Sequence, residues 1–272
     1  MGTSGQNQPW YRLFKYDLKQ RLPFLVHLAR WVRWARSQVR YPGAAWRLQR
    51  KSGGRVLGGP FKGLRIPLWQ TNEYSALLGI YEQSLIPTIE DMIARKPRTV
   101  IDAGAAYGYY ALGFAMRLPD SRVIAYEIDR TRRVLVNKYG GLNGLEGRVD
   151  LRGECTIASL ARDTSADEPV FIMMDIEGAE ASLLDPRLVP GLCRSEILVE
   201  LHEMFVPGVT QLLQERFAAT HQQTLLPAAT VHIGDLDRAV RDLIGTDDRT
   251  LLRMIDEKRE GQTTWLHLRP RS

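Results

Sequence analysis

The chain has 272 residues, 44% of them hydrophobic and 25% charged, which is enough apolar material for one sizeable core and excludes a disordered chain. No apolar run reaches the ~20 residues that a bilayer-spanning helix needs. The longest candidate, Leu22 to Ala29, contains Pro23 and His27, is followed at once by Arg30, and lacks the small-residue cleavage site of a signal peptide. The expectation is a cytoplasmic protein. Cys155 and Cys193 agree with it, having no metal-like spacing and being too few for a disulfide framework.

The net charge of +6 is unevenly spread. Residues 1–55 hold 12 lysines and arginines against a single acid, Asp17, while the remainder holds 25 basic and 30 acidic residues. Trp10, Trp31, Trp34 and Trp46 also fall in the basic segment, so a boundary is placed near Lys51–Gly54: a helical extension over 1–54, then one α/β domain over 55–272. Within the extension, Phe24 to Arg40 has a helical pattern. Phe24, Leu25, Leu28, Trp31, Val32, Ala35 and Val39 share one face, and Arg30, Arg33, Arg36 and Arg40 the opposite one, with Val26 as the exception and Pro42-Gly43 as the stop. Such a stripe suits docking on the body or a homo-oligomer contact. A peripheral contact with an anionic membrane surface and a contact with nucleic acid stay open as alternatives.

Residues 53–70 read as a hairpin or loop and Asn72 to Arg95 as mainly helical, broken near Pro87. Strands are then predicted at Thr99–Ala103, Arg122–Glu127, Val149–Arg152, Val170–Asp175 and Glu196–His202. Helices are predicted at Tyr107–Leu118, ended by Pro119-Asp120, and at Arg130–Tyr139, ended by Gly140-Gly141. A charged, largely helical stretch over 230–261, read as an insert or lid, precedes a last strand at Thr263–Leu268. Apolar strands alternating with helices predict a parallel sheet buried on both faces.

The string Val100-Ile101-Asp102-Ala103-Gly104-Ala105-Ala106-Tyr107-Gly108 is an apolar strand, an acidic tip and a run of small residues leading into a helix. Small residues there let backbone approach a ligand, and the helix start offers free N–H groups. A dinucleotide fingerprint needs three glycines spaced G-x-G-x-x-G; only Gly104 and Gly108 are present, and Asp102 would repel a diphosphate. An acid there suits a cationic ligand such as an amino-acid ammonium. Glu127, 23 residues after Gly104 and at the next strand tip, can accept ribose hydroxyls. Asp175 ends the fourth strand. Glu200 and His202 alternate onto one side of the fifth, as candidates for a general base or, with Asp175, for divalent-ion ligands. Asp175, Glu177 and Glu180 are also open to a plain reading as helix-capping acids. His221 and His232 are placed less tellingly, and His267 reads as packing.

The order of these segments resembles class I S-adenosylmethionine-dependent methyltransferases, and Met174-Asp175-Ile176-Glu177-Gly178-Ala179-Glu180 is similar to the D-x-E-G-x-E hallmark of the FkbM-type subfamily. The resemblance covers about residues 73–205. It implies a Rossmann-like methyltransferase sheet, mostly parallel with the last strand antiparallel, and S-adenosylmethionine as cofactor. Asp102, Gly104, Ala106 and Gly108 would hold the methionine part, Glu127 the ribose, and Glu154 and Cys155 would lie near the adenine, with Asp175 also at the cofactor. His202, Asp175 and Glu200 would serve catalysis, Asp175 and Glu200 as ligands if Mg²⁺ takes part. Ala106 departs from the polar residue, such as Asn, found in many members.

The activity so implied is O-methylation of a hydroxylated small molecule of sugar or natural-product type. An RNA or protein methyltransferase and a non-catalytic Rossmann-like scaffold are the alternatives. Nucleic acid is disfavoured because the body is net acidic and has no Asn-Pro-Pro-Tyr motif.

Overall fold

The apolar runs of the sequence become the middle of a seven-stranded sheet in the computed structural model, which describes residues 43–67, 74–165, 168, 170–229, 231–255 and 264–271. The strands are β1 (Thr99–Ala103), β2 (Arg122–Tyr126), β3 (Val149–Arg152), β4 (Val170–Met174), β5 (Glu196–Leu201), β6 (His221–Pro227) and β7 (Thr264–Pro270), in the order β3-β2-β1-β4-β5-β7-β6. β1 to β5 are parallel, and β7 runs antiparallel to both β5 and β6. This is the Rossmann-like methyltransferase arrangement expected from the sequence. The order reverses between β1 and β4, which makes the carboxyl ends of those strands the place where a ligand crevice forms.

The helices are α1 (Ala44–Ser52), α2 (Tyr74–Leu78), α3 (Ile86–Arg95), α4 (Tyr109–Arg117), α5 (Arg130–Leu142), α6 (Ile157–Asp163), α7 (Glu180–Leu183), α8 (Val209–Phe217), α9 (Arg238–Ile244) and α10 (Asp248–Ile255). Alternation along the strands divides the core. Val100, Val123, Phe171, Met173 and Leu198 pack with Ile89 and Met92 of α3, Leu112 and Phe114 of α4 and Val136 of α5. Ile101, Ile124, Ile172, Met174 and Val199 face the other way, onto Leu160 of α6 and Leu213 and Phe217 of α8. Both faces are therefore covered, which is why the strands read as continuous apolar runs.

A third, smaller core lies apart from the sheet. Ala44, Ala45 and Leu48 of α1 meet Tyr74, Leu77 and Leu78 of α2, together with Ile244 of α9 and Leu251, Met254 and Ile255 of α10. The stretch read as an insert thus packs on α1, and Arg47 and Lys51 of that helix donate to the carbonyls of Ile244 and Leu243. The amphipathic segment Phe24–Arg40 lies outside the described residues. Among those described, no helix is long and apolar enough to cross a membrane.

Four sequence expectations differ in detail. α4 begins at Tyr109 because Gly108 holds a left-handed φ of 91° at its N-cap, and so leaves Tyr107 in the preceding turn. α5 runs through Gly140 and Gly141 and stops at Asn143, whose N–H bonds back to the Gly140 carbonyl. The described part of the Asn72–Arg95 stretch, from Tyr74, is two helices and a 3₁₀ turn, Gln83–Leu85, with Glu82 in left-handed conformation before that turn. Finally, β6 has no counterpart in the sequence reading. It is an edge strand, exposed at several positions, and its HQQTLLP sequence lacks an apolar run.

Candidate active site at the carboxyl edge of the sheet

Register brings the acids of the sequence to one edge. Ala103 pairs with Tyr126 and with Met174, and Met174 pairs with Val199, so Glu127, Asp175 and Glu200 stand at one level, the last still inside β5. Asp102, one residue inside the end of β1, is buried. Burial raises its carboxyl to about 7, a backbone N–H of Ala111 offsets this in part, and the charges of Asp175, Glu127 and Glu82 push it further up. Its Oδ2 has no hydrogen-bond partner among the described residues.

The turn after β1 is fixed from both sides. Gly104 and Ala105 donate to the Tyr126 carbonyl at 2.9 Å, and Asp175 N–H donates to the Ala103 carbonyl at 2.9 Å. Gly104 has φ 96°, and a Cβ there would stand 1.7 Å from the Asp175 carbonyl oxygen. The glycine is thus required by the crossing of the β1 turn and the β4 end, in addition to any ligand. Ala106 is left-handed with φ 49°, and its N–H donates to Glu127 Oε2 at 2.8 Å. What this position supplies is a backbone donor, so no polar side chain is needed here to tie the turn to β2.

Glu127 is 4% exposed; its other oxygen accepts from Asp129 N–H at 2.7 Å, and Arg132 lies 3.7 Å from Oε2. Burial raises its carboxyl, with Arg132 and the two backbone donors acting against the rise. Asp129 caps α5 through Thr131 and Arg132. Glu154 and Cys155 follow β3, Glu154 exposed and Cys155 partly buried, with its thiol pushed up to about 12 by burial. Such a thiol is inert, a packing or contact group.

The opposite half of the edge is a coupled side-chain network. His202 follows β5, and its Nδ1 lies 2.8 Å from Glu180 Oε1. Its Nε2 is 3.5 Å from Asp175 Oδ1 and 3.6 Å from Glu200 Oε2. Glu180 is fully buried and also accepts from Ile176 N–H at 3.2 Å and Gly178 N–H at 2.8 Å. These bonds hold a turn in which Glu177 (φ 53°) and Gly178 (φ 108°) are both left-handed. A carboxylate accepts only, so Nδ1 carries the proton and Nε2 faces the two remaining acids. Burial lowers the imidazole pKa, but the hydrogen bond and charge of Glu180, with Asp175 and Glu177, leave it raised overall. The Phe205 ring stacks on His202 at 5.7 Å.

Asp175, Glu200 and His202 each offer a ligand atom, all within 4.8 Å of one another. The sequence pointed to these three residues but not to Glu180 as a site residue. Its place in the D-x-E-G-x-E string was the available signal; it does not cap α7, whose N-cap Ala179 has no side-chain cap bond, but holds the turn before that helix. What spacing could not give is its hydrogen bond to a histidine 22 residues away. Of the other described histidines, His221 is buried with Nε2 2.9 Å from the Ser195 carbonyl, and His267 pairs with Glu196 at 2.7 Å.

No family model and no curated protein matches the chain. Solved structures are similar to it at low identity. One is the O-methyltransferase TomG from Streptomyces achromogenes, involved in tomaymycin synthesis and solved with S-adenosylmethionine: 13% identity, 68% of this chain and 78% of that chain, TM-score 0.43. Another is an O-methyltransferase from Bacillus cereus in complex with S-adenosylhomocysteine: 14% identity, 83% and 90% coverage, TM-score 0.43. A methyltransferase from Geobacter sulfurreducens aligns at 16% identity over 66% of this chain and 74% of its own, with a TM-score of 0.39.

Proposed function

We propose that the chain is an S-adenosylmethionine-dependent methyltransferase that O-methylates a hydroxylated small molecule of sugar or natural-product type. The observation that carries this reading is the position of His202. Its Nε2 is turned by Glu180 toward Asp175 and Glu200 at the strand tips beside the β1/β4 switch point, the end of β1 holding the buried Asp102, whose Oδ2 has no partner among the described residues. The residues fit the cofactor. Asp102 offers a buried acceptor for a cationic amino-acid group, and Glu127, with one backbone donor on each oxygen, keeps lone pairs for ribose hydroxyls.

When bound, the cofactor supplies an electrophilic methyl group on a sulfonium. The chain's own residues then have two tasks, to orient an acceptor hydroxyl and to remove its proton. His202 accepts that proton at Nε2 and becomes an imidazolium flanked by Asp175, Glu180 and Glu200, which stabilise the charge. Glu180 keeps the proton on Nδ1, so that the accepting nitrogen faces the acceptor.

A second reading is favoured by the closeness of the three ligand atoms. Asp175, Glu200 and His202 would hold a divalent ion that binds the acceptor hydroxyl and lowers its pKa. Two carboxylates suit Mg²⁺ or Mn²⁺, while the imidazole favours a later transition ion. Calorimetric titration of S-adenosylhomocysteine, followed by a methyl-transfer screen over hydroxylated metabolites, tests the activity. Tight NADH binding with no response to either adenosyl ligand would overturn it. With an acceptor in hand, activity lost to EDTA and restored by Mg²⁺ or Mn²⁺ selects the metal, and indifference to EDTA selects His202 as the base.

A further inference from the structure

The sheet ends on one side in a strand that no described element covers. β6 lies outermost in the order and pairs with β7 alone. From Gln222 to Pro227 none of its backbone groups meets a described residue other than those of β7. The strand is anchored near both ends. At its start the His221 ring meets Phe217 of α8 at 5.0 Å, and Gln223 Nε2 donates to the Gln214 carbonyl at 2.8 Å. Near its end Leu226 packs on the core that holds Trp265. Between these anchors Gln222 and Thr224 are exposed on one face and Leu225, at 44%, on the other, so no described helix stands in the way of a further strand. Edge strands are ordinarily guarded against pairing by a charge, a bulge or a proline. Here Pro227 stands at the last position, and no bulge interrupts the one-to-one register from His221↔Pro270 to Pro227↔Thr264. Residues 217–234 contain no lysine, arginine, aspartate or glutamate, in a chain that is 25% charged.

An open ladder takes a strand, and the residues of β6 favour a second copy of itself. Antiparallel self-pairing about a two-fold axis at the central residue sets Thr224 opposite Thr224, Gln223 opposite Leu225 and Gln222 opposite Leu226. A charged edge paired in this way would set like charges against each other, whereas this one meets no repulsion and gains a threonine pair. A foreign peptide chosen by charge would find nothing on it to read. Arg269, one strand inward beside Gln222, lies 3.9 Å from Asp91, so its charge is partly met within the chain. A two-fold contact also closes on itself, which removes the open edge from further pairing. We propose that two copies of this chain join their sheets edge to edge through β6, about an axis at Thr224. The two copies then run antiparallel across the axis, so their carboxyl edges, and with them the two candidate sites, face opposite ways and work independently. A ladder of this length lies at the small end of stable interfaces, so the dissociation constant should be on the order of micromolar. The proposal does not depend on the methyltransferase reading.

Sedimentation equilibrium of the full chain is the test. The wild type should pass from one chain to two as its concentration rises through roughly the micromolar range. Thr224→Lys places two like charges face to face on the axis and should raise the dissociation constant about fivefold or more, and Thr224→Glu should do the same. An equal mixture of the two variants should recover the dimer, because opposite charges then meet. An unchanged circular dichroism spectrum is the sign of an intact fold, since Thr224 is exposed. A wild type that remains a single chain at hundreds of micromolar overturns the proposal. So does a dimer whose constant neither substitution changes, which would place the contact elsewhere, such as in the basic extension. Weakening by both substitutions with no recovery on mixing overturns the axis at Thr224. Should both variants fold poorly, hydrogen exchange on the wild-type chain decides. Alternate amides between Gln222 and Leu226 should exchange more slowly above the association midpoint than below it, and equal exchange at both concentrations overturns the proposal.

Discussion

The two halves of the sheet's carboxyl edge hold their acids differently. Over β1 and β2, Glu127 meets backbone N–H groups of Ala106 and Asp129, and Asp102 keeps one oxygen open. Over β4 and β5, Glu180 and His202 form a side-chain pair with Asp175 and Glu200 beyond it. Backbone donors are fixed in place, so the first half is suited to hold a ligand. Side chains that share a proton can change charge, which suits the second half to chemistry. The comparison teaches that binding and turnover should be separable by mutation along a single edge.

The largest expected effect breaks the second half alone. His202→Ala should lower turnover by about 10²-fold or more, the scale of losing a positioned base, and Asp175→Ala should do the same. S-adenosylhomocysteine affinity should stay within a few-fold in the His202 variant, whose imidazole is assigned to the acceptor. Full turnover of both variants on a verified acceptor would place the chemistry elsewhere.

A smaller loss, about tenfold or more, is expected of Glu180→Gln, because a partner that orients an imidazole carries effects of that order. The telling readout is the pH profile. His202 accepts a proton only when neutral, and Glu180 helps to raise its pKa, so activity is lost as pH falls through that raised value. Without the Glu180 charge the acidic limb of kcat should move to lower pH. A limb that stays in place means that Glu180 only braces the turn at Ile176–Gly178.

How far the sequence reached follows the same division. The tips of β1 and β2 were legible because each is an acid ending a continuous apolar strand, and Asp102 and Glu127 sit where such strands must emerge. Glu200 and His202 were legible as a pair because alternation along a strand is strict. Glu180 was not read as a site residue, because it obtains its role from His202, which follows β5, 22 residues further along the chain. The β6 strand escaped because an exposed edge needs no apolar run.

The first half is tested by pH in the opposite sense from an ordinary surface acid. Because burial raises Asp102 to about 7, it is protonated, and loses its attraction for a cation, within the working range. If binding needs the carboxylate, S-adenosylhomocysteine affinity should fall by about tenfold between pH 8 and pH 6, following one proton. Asp102→Asn should bind more weakly at pH 8 and lose this dependence. A wild-type affinity that is flat across the range would mean that Asp102 does not face the ligand's charge.

The smallest expected effect concerns the basic segment and sharpens where the domain begins. Every group placed at the edge lies between Asp102 and Phe205, so removal of residues 1–42 should change S-adenosylhomocysteine affinity by no more than a few-fold. That cut spares α1, whose Leu48 is fully buried in the small core with α2, α9 and α10. Leu48→Ala should accordingly destabilise the chain by about 2–5 kcal/mol in thermal or denaturant unfolding, the cost of emptying a packed leucine site. Affinity measured well below the new midpoint should remain within a few-fold. The two changes together locate the boundary. If removing 1–42 is silent and Leu48→Ala is costly, the folded unit starts near Gly43, ahead of the charge boundary at Lys51–Gly54, and the basic extension is a separate attachment. Loss of S-adenosylhomocysteine binding on removal of 1–42 would instead mean that the extension completes the site, and a salt-sensitive association of the full chain with anionic vesicles, lost on the same cut, would give it a membrane-surface role.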